Sequence, residues 1–393
     1  MSGGAERKVL ALFHDIPRPP FEELKRLEET DQTPRATIFA TEFNADVLDR
    51  RMLERAPAWR RFVYRFLPVP IAQVLEAFAI YRRYDFVLSW HEKLGFTFAL
   101  LCKLTGAKRV PHVALCSWPA KGVKGVLMRL VQSRIDRYIL WSTVQRDLAI
   151  RRFRVSPWKI SLIHYFVDEK FFRPLPMETD MILSVGSEMR DFPTLIAALD
   201  GLDIRCHVAA GVLSGERTQW IKRVEEIQNL PPNVSVGKKS HVELRALYAR
   251  SRFVIIPLLP TDTDNGTTCM LEAMAMGKPV ICSRTEGQVD VMEDGVTGLF
   301  VPVGDVKALR EAILYLWNNV ELAERMGRAG RAYIERVQRL DKFVGDIKAI
   351  VEEVFAARNG KAALHRPVAL DTTATRSMLQ PDDALKVKNP RTE

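Results

Sequence analysis

The chain has 393 residues, of which 47% are apolar and 9% aromatic, so two large buried cores are expected rather than one. Its net charge of +10 is compatible with nucleic acid, an anionic membrane or phosphorylated substrates as partners. Five cysteines without CxxC spacing exclude a disulfide scaffold or zinc motif and predict core thiols in a reducing compartment. No apolar segment approaches the roughly 20 residues that cross a bilayer.

The first half alternates short apolar runs with helical patterns. The N-terminal run is too short for a signal peptide and is interpreted as a first strand. Strands separated by helices predict βαβ units and a parallel sheet covered on both faces. The predicted strands are 8–13, 36–39, 84–88, 110–116, 138–141 and 160–165, and the predicted helices are 94–104, 124–135 and 144–153.

Residues 49–83 depart from this alternation and are predicted to form one or two helices. Arginines interleave with aromatic residues in their first part, a pattern that suits a membrane surface or an acidic partner. An ordinary solvated helix face is the alternative. The residues in question are Arg50, Arg51, Arg55, Trp59, Arg60, Arg61, Phe62, Tyr64, Arg65 and Phe66.

Two prolines, Pro174 and Pro176, end regular structure after the first half. We therefore predict a first domain over residues 1–175 and a second over 176–358. Residues 359–393 lack periodicity and are predicted to be a flexible tail.

The second half repeats the alternation of strands and helices. Each predicted strand ends in glycine or polar residues, where ligands bind in open α/β sheets. The fold class predicted is therefore α/β, with two doubly wound domains facing a cleft. The strands are 181–185, 205–210, 233–237 and 253–258, and a helix is predicted over 242–250.

The segment from Thr261 to Ser283 has the clearest signs of a binding site. Its helix, predicted over 267–276, is apolar on nearly every face and therefore buried, yet it contains Glu272. The helix start at Gly266 offers free N–H groups that suit a phosphate. Asp264 stands eight residues before Glu272. Two carboxylates around such a helix start predict a phosphorylated, hydroxyl-rich ligand.

Residues 155–335 resemble the retaining glycosyltransferases of family 4. The segments that carry the resemblance are KISLIHYFVDEKFFRP, ILSVGSEMRDFPTLIAAL, NVSVGKKSHVELRALYARSRFVIIP and LEAMAMGKPVICSRTEGQVDVMEDGVTGLFVPVGDVKALREAI. The resemblance implies the GT-B fold, with two Rossmann-like domains. The first domain would bind the acceptor, and the second domain would bind the nucleotide-sugar donor. One option is that the last helices pack back on the first domain.

The resemblance also assigns the acidic pair. It implies that Glu272 binds the ribose hydroxyls of the donor and that Asp264 contacts the transferred sugar. Family members usually have Glu at the latter position, so Asp264 shortens that side chain by one methylene. The diphosphate would be held by Asn265, Gly266, Thr267 and Thr268.

Further donor contacts are expected after the first strand of the second domain. The family usually has Arg and Lys there, whereas this chain has Gly186, Ser187 and, at the Lys position, Arg190. We expect Arg190 to be the cationic clamp on the diphosphate. Lys238 and Lys239 are candidates for the base pocket, or are solvated turn residues.

The acceptor side matches the family less well. Many members have a histidine where this chain has Cys116, Ser117 and Trp118. His91 follows a predicted strand, so it is the candidate catalytic histidine of the acceptor site, with a structural role as the alternative. His112 is predicted to be a packed strand residue.

The resemblance implies a retaining hexosyltransferase that uses a UDP- or GDP-linked sugar, without metal or other cofactor. Catalysis would fall to Asp264, Arg190 and His91. The acceptor would be a glycan or a lipid-linked or cell-envelope molecule, and nucleic acid is not expected. The expected location is cytoplasmic, with peripheral association at the membrane as an option. The alternative is a catalytically silent GT-B-like protein that binds nucleotide sugar or an anionic membrane.

Overall fold

In the computed structural model, the structure is described for residues 7–13, 19–210 and 230–358. These residues form two sheets, each of six parallel strands flanked by helices. The predicted α/β class with two doubly wound domains is confirmed. We call the layers around the first sheet the first domain and those around the second sheet the second domain.

The first sheet has the strand order β2-β1-β3-β4-β5-β6. Its strands are almost continuously apolar because helices cover both faces. The strands are β1 (Val9–Leu12), β2 (Ala45–Val47), β3 (Phe86–Ser89), β4 (His112–Leu115), β5 (Arg137–Leu140) and β6 (Ile160–Leu162). The helices are α1 (Phe21–Glu29), α2 (Ile38–Glu42), α3 (Arg50–Glu54), α4 (Ala58–Tyr64), α5 (Val69–Ile80), α6 (Glu92–Leu104), α7 (Gly122–Val131) and α8 (Thr143–Arg151).

One predicted strand of this domain is wrong. Residues 36–39 lead into helix α2, and the strand follows at β2. The carboxylate of Glu28 accepts the backbone N–H groups of Ala36 and Thr37 at 2.7 and 2.8 Å. These donors are therefore not available for a sheet ladder. Phe39 instead packs edge-on against Trp90, with ring centroids 4.4 Å apart.

The second sheet has the strand order β12-β11-β10-β7-β8-β9. Its strands are β7 (Met181–Val185), β8 (Cys206–Ala209), β9 (Val234–Val236), β10 (Ser251–Ile256), β11 (Val280–Ser283) and β12 (Gly298–Val301). The helices are α9 (Phe192–Leu199), α10 (His241–Arg250), α11 (Thr267–Ala275), α12 (Val306–Asn318), α13 (Val320–Val337) and α14 (Leu340–Arg358). Helix α11 is the predicted buried helix, and Met270, Leu271, Ala273 and Met274 on it are fully buried.

Helix α14 leaves the second domain and packs on the first. Phe343, Ile347 and Val351 join the cluster that contains Phe39 and Phe86. Where the chain crosses back, the N–H of Val167 donates to Gln338 and the N–H of Leu340 donates to Val167. The domain limits 1–175 and 176–358 stay a prediction, and the predicted tail, 359–393, lies outside the described residues.

All five cysteines are free, as predicted, and all but the half-buried Cys269 are buried. His112 is buried in β4 and hydrogen-bonds the Ser89 hydroxyl at 2.9 Å, as expected for a packed residue. Within the described ranges, no helix is both long and apolar enough to span a bilayer.

Candidate functional site

The loops after β7 and β10 meet because these two strands are parallel neighbours in the second sheet. The first loop holds Gly186, Ser187 and Arg190, and the second holds the segment from Asp264 to Thr268. A Cβ atom added to Gly186 would lie 3.1 Å from the sulfur of Cys269, on the first turn of α11. The structure therefore brings together the two loops that the sequence assigned to the diphosphate.

Two glycines allow this close approach. Gly186 has φ +87° and Gly266 has φ +91°, both in the left-handed region that disfavours other residues. Gly266 immediately precedes α11, and no side chain caps that helix. The hydroxyl of Thr267 bonds back to the carbonyl of Asp264 at 2.8 Å, whereas Thr268 is exposed. The positive end of the helix dipole is thus open to an anion.

The guanidinium of Arg190 lies beside this helix start and is 6% exposed. It donates to the carbonyls of Val185 and Glu188 at 2.9 and 2.8 Å and to the Cys269 sulfur at 3.4 Å. These hydrogen-bond partners are all uncharged, and the Glu188 carboxyl interacts with Arg190 electrostatically. The positive charge of Arg190 beside the helix start favours a bound anion there. The carbonyl bonds also fix the turn that follows β7.

Glu272 is half-buried on α11, one turn beyond the helix start. Its Oε2 accepts a hydrogen bond of 2.8 Å from the hydroxyl of Tyr248, a fully buried residue of α10. Burial raises the pKa of Glu272 to about 7, and the Tyr248 bond opposes that rise. The carboxylate therefore needs further donors to be stable in its charged form, and ribose hydroxyls are such donors.

The Asp264 carboxylate is held by the first domain. The indole of Trp118, which follows β4, donates to its Oδ1. The indole of Trp141, directly after β5, lies close enough to this carboxylate to lower its pKa. Burial raises the pKa of Asp264 to about 6, although both indoles lower it. Tyr165 lies beside Thr268, and its ring packs at a tilted angle against Trp141.

Two more contacts join the carboxyl edges of the sheets. Lys121 pairs with Asp262 at 2.8 Å, and the N–H and hydroxyl of Thr143 both donate to Asp290 at 2.8 Å. Lys121 and Asp262 line a cavity of about 590 Å³. Its other lining residues include Trp118, Glu188, Met189, Pro260, Thr261, Thr263, Asn265, Arg284 and Thr285.

Other predicted site residues have structural roles. His91 caps helix α6, and its Nδ1 accepts the N–H of Lys93 at 3.3 Å. The side-chain oxygen of Asn265 accepts the hydroxyl of Thr261 at 3.1 Å, so this side chain stabilises its own loop. Lys238 and Lys239 are half-buried after β9. The catalytic role of His91 and the donor-binding role of Lys238 stay predictions.

Sequence reasoning assigned no role in the site to Trp118, Trp141, Tyr165 or Tyr248. The signal for the two tryptophans was their position just after apolar strands, at the edge where sites collect. Nothing local indicated that both would reach the same carboxylate of the other domain. Tyr248 and Glu272 lie on different helices, so their contact depends on the packing of α10 against α11.

A family model described as Glycosyl transferases group 1 matches residues 168–333. That match covers most of the second domain. D-inositol 3-phosphate glycosyltransferase from Streptomyces avermitilis is 22% identical over 240 residues, which are 55% of this chain and 51% of that protein. The chain spans between 20% and 51% of the length of the first four curated relatives it matches.

Solved structures are similar over nearly the whole chain. Sucrose-phosphate synthase from Thermosynechococcus elongatus has a TM-score of 0.67 at 16% identity, covering 89% of this chain and 100% of that one. HepE from Anabaena, in complex with UDP and glucose, has a TM-score of 0.65 at 14% identity, covering 88% and 99%. At these identities the likeness shows the fold alone. That fold is GT-B, as the resemblance implied.

Proposed function

We propose that this protein is a retaining hexosyltransferase that moves a sugar from a UDP- or GDP-linked donor to an acceptor hydroxyl. The observation that carries the proposal is the pair Asp264 and Glu272 flanking an uncapped helix start backed by buried Arg190. This arrangement places a site for an anion between the carboxylates of Asp264 and Glu272, which can accept hydrogen bonds from ligand hydroxyls. The group 1 domain match and the complex of HepE with UDP and glucose support a nucleotide-sugar donor.

In the proposed reaction the acceptor oxygen bonds to the anomeric carbon as the bond from that carbon to the diphosphate breaks on the same face, and the hydroxyl proton passes to the departing diphosphate. The α11 N-terminus and Arg190 would stabilise the charge that grows on the diphosphate. Glu272 would fix the ribose and Asp264 the sugar, so that both reacting atoms are held in place. In this reaction the sugar forms no covalent intermediate with a protein side chain.

We further propose that the reaction needs no metal ion. The helix dipole and Arg190 already place positive charge where the diphosphate would lie, which is the role that a metal would otherwise have. A chelator should therefore leave the rate unchanged. Loss of activity with EDTA and its recovery with manganese would contradict this.

The proposal is tested with a panel of UDP-, GDP- and ADP-linked sugars, measuring released nucleoside diphosphate with and without acceptors. Turnover of at least one donor is expected, and Glu272→Ala should lower it by one or two orders of magnitude. Calorimetric titration with UDP and GDP is the companion measurement. Nucleotide binding without any turnover would support the alternative, a catalytically silent binding protein.

A lipid-linked acceptor at an anionic membrane is the acceptor class that we propose. Trp59, Phe62 and Phe66 on and after α4 are 70%, 60% and 68% exposed, and no residue of α4 is buried. The guanidinium of Arg65 lies 5.6 and 5.3 Å from the centroids of Phe62 and Phe66. Exposed aromatics beside arginines favour the headgroup region of a bilayer.

The position of α4 supports this choice. Helix α5 leads into β3 and covers the sheet antiparallel to it, so the start of α5 lies at the carboxyl edge of the first sheet. Helix α4 immediately precedes that start and therefore lies on the cleft side of the domain. An acceptor anchored in the membrane would reach the cleft from there.

Vesicle sedimentation tests the membrane proposal. The protein should sediment at low salt with vesicles that contain phosphatidylglycerol but not with purely zwitterionic vesicles. The triple variant W59S/F62S/F66S should stay in the supernatant. Leu104→Ser, which removes a side chain that is 76% exposed at the far end of α6, is the matched control and should bind as the wild type does. Wild-type protein that stays soluble with anionic vesicles would contradict the proposal.

A further inference from the structure

In the proposed function the carboxylate of Asp264 faces the sugar. The two indole groups that interact with this carboxylate come from the opposite domain. Asp264 belongs to the second domain, whereas Trp118, whose indole donates to it, and Trp141, whose indole lies beside it, belong to the first. We infer that Trp118 and Trp141 are positioning residues that orient the Asp264 carboxylate for the donor sugar and do so only when the two domains are closed together. This inference rests on the proposed function.

The loop itself fixes the backbone of Asp264. Its carbonyl accepts the N–H and the hydroxyl of Thr267, at 3.3 and 2.8 Å, and these bonds set the turn into α11. The carboxylate interacts with the backbone of Asp264 itself, its indole donor is Trp118, and the indole of Trp141 lies beside it. The two indoles therefore restrict the rotamer of a side chain that its own loop holds only through the Asp264 backbone.

Indole groups suit this role for two reasons. A tryptophan has only two side-chain torsions, so it can hold a donor in place at a low entropic cost. An indole N–H is also a neutral donor, so it orients a carboxylate and leaves the negative charge in place. An arginine in the same position would neutralise that charge. The negative charge of Asp264 therefore remains available to sugar hydroxyls or to the positive charge that develops at the anomeric carbon.

The surroundings hold the second indole in place. The ring of Trp141 packs at a tilted angle against Tyr165, with ring centroids 4.7 Å apart, and Tyr165 lies beside Thr268 on the first turn of α11. One connected set of side chains thus runs from β5 to both the sugar-side acid and the helix start. The two tryptophans also compensate for the short side chain of Asp264, because they reach across the cleft to meet it.

Separation of the domains would withdraw both indoles from the Asp264 carboxylate at once. The Lys121–Asp262 and Thr143–Asp290 contacts join the same edges and would break in the same movement. The sugar-side acid would then lose its orientation in the open state. Donor sugars would consequently be selected in the closed state, while the nucleotide sites at Glu272 and Arg190 lie within the second domain alone.

The variants Trp118→Phe and Trp141→Phe test the inference because they keep a ring and remove the N–H. Each should lower kcat/KM for the donor sugar by about tenfold or more, as expected for loss of a hydrogen bond to a charged group. The affinity for UDP or GDP alone should change less than about twofold. Trp158→Phe is the matched control, because this residue precedes β6 at the opposite edge of the sheet, and its kinetics should be those of the wild type.

The pH profile separates positioning from a merely structural effect. Loss of an N–H donor disfavours the ionised form of Asp264, so the acidic limb of the kcat/KM profile should move to higher pH in both variants. Unchanged kcat/KM and an unchanged profile in both would overturn the inference. A faster reaction would also overturn it, since the indoles would then be blocking the sugar.

A spectroscopic measurement is independent of activity. The protein has seven tryptophans, and the indole N–H signals of Trp118 and Trp141 can be assigned in nitrogen-15 spectra from the two Phe variants. Asp264→Asn should move both signals and leave that of Trp158 in place. If neither moves, the inference fails. If the wild type turns over no nucleotide sugar, the proposed function fails, and the indole shifts still test the contact.

Discussion

Replacing Glu272 by Gln should make the protein more stable and less able to bind its donor. The change keeps the shape of the side chain and an oxygen that accepts the 2.8 Å bond from Tyr248, but it removes the charge. In the wild type, burial raises the pKa of this carboxyl from an ordinary 4.5 to about 7. Because the folded-state pKa lies above that of the unfolded chain, stability falls as the pH rises from 4.5 to 7.

The size of this effect follows from the pKa. Each pKa unit corresponds to about 1.36 kcal/mol, so the charged carboxyl lowers the free energy of unfolding by about 3 kcal/mol above pH 7. The Gln variant should therefore melt a few degrees above the wild type at pH 8. Below pH 4.5 the wild-type carboxyl is protonated in both the folded and the unfolded state, so the two proteins should have the same melting temperature.

Donor binding should change in the opposite direction. A hydrogen bond to a charged group contributes about 1.5–3 kcal/mol, so loss of the charge should weaken nucleotide binding by at least about tenfold. Wild-type affinity should rise as the pH increases through about 7, where Glu272 ionises, and the variant should lack this dependence. Thermal unfolding and calorimetric titration at pH 5, 7 and 8 provide the measurements. Equal stability at pH 8, or unchanged nucleotide affinity, would refute the reasoning.

Two further predictions concern charged side chains that are buried. Arg190→Ala should lower kcat/KM by one or two orders of magnitude, because it removes positive charge from the helix start, and Arg190→Lys should recover part of the loss in steady-state assays. Asp168→Asn should lower the free energy of unfolding by about 3 kcal/mol, since Asp168 is buried and accepts three bonds from Arg35. Urea unfolding measures this free energy, and a loss below about 1 kcal/mol would contradict a stabilising contribution from the Arg35–Asp168 pair.

The second domain was predictable from sequence because its site is built from local patterns. Glu272 stands out as a carboxylate on an apolar helix, and Gly266 precedes that helix in the chain. Both features are visible within one short segment, and α11 starts at the predicted residue. The apolar strands likewise indicated parallel sheets without any long-range information.

Other features depended on contacts between distant segments. The strand predicted over 36–39 failed because Glu28 takes the N–H groups of Ala36 and Thr37. The two indoles on Asp264 could not be predicted, because their meeting depends on how two separate domains face each other. His91 was singled out by its position after a strand, and its capping bond to Lys93 became visible only in three dimensions.

The return of α14 to the first domain has a consequence for biosynthesis. The core around Phe39 and Phe86 is completed by Phe343 and Ile347, which leave the ribosome after the twelve strands that the described residues form. A fragment ending near residue 175 would expose that apolar surface. The second domain can fold around its own hydrophobic core while the core of the first domain is still incomplete. The first domain therefore reaches its final stability last, although it is made first.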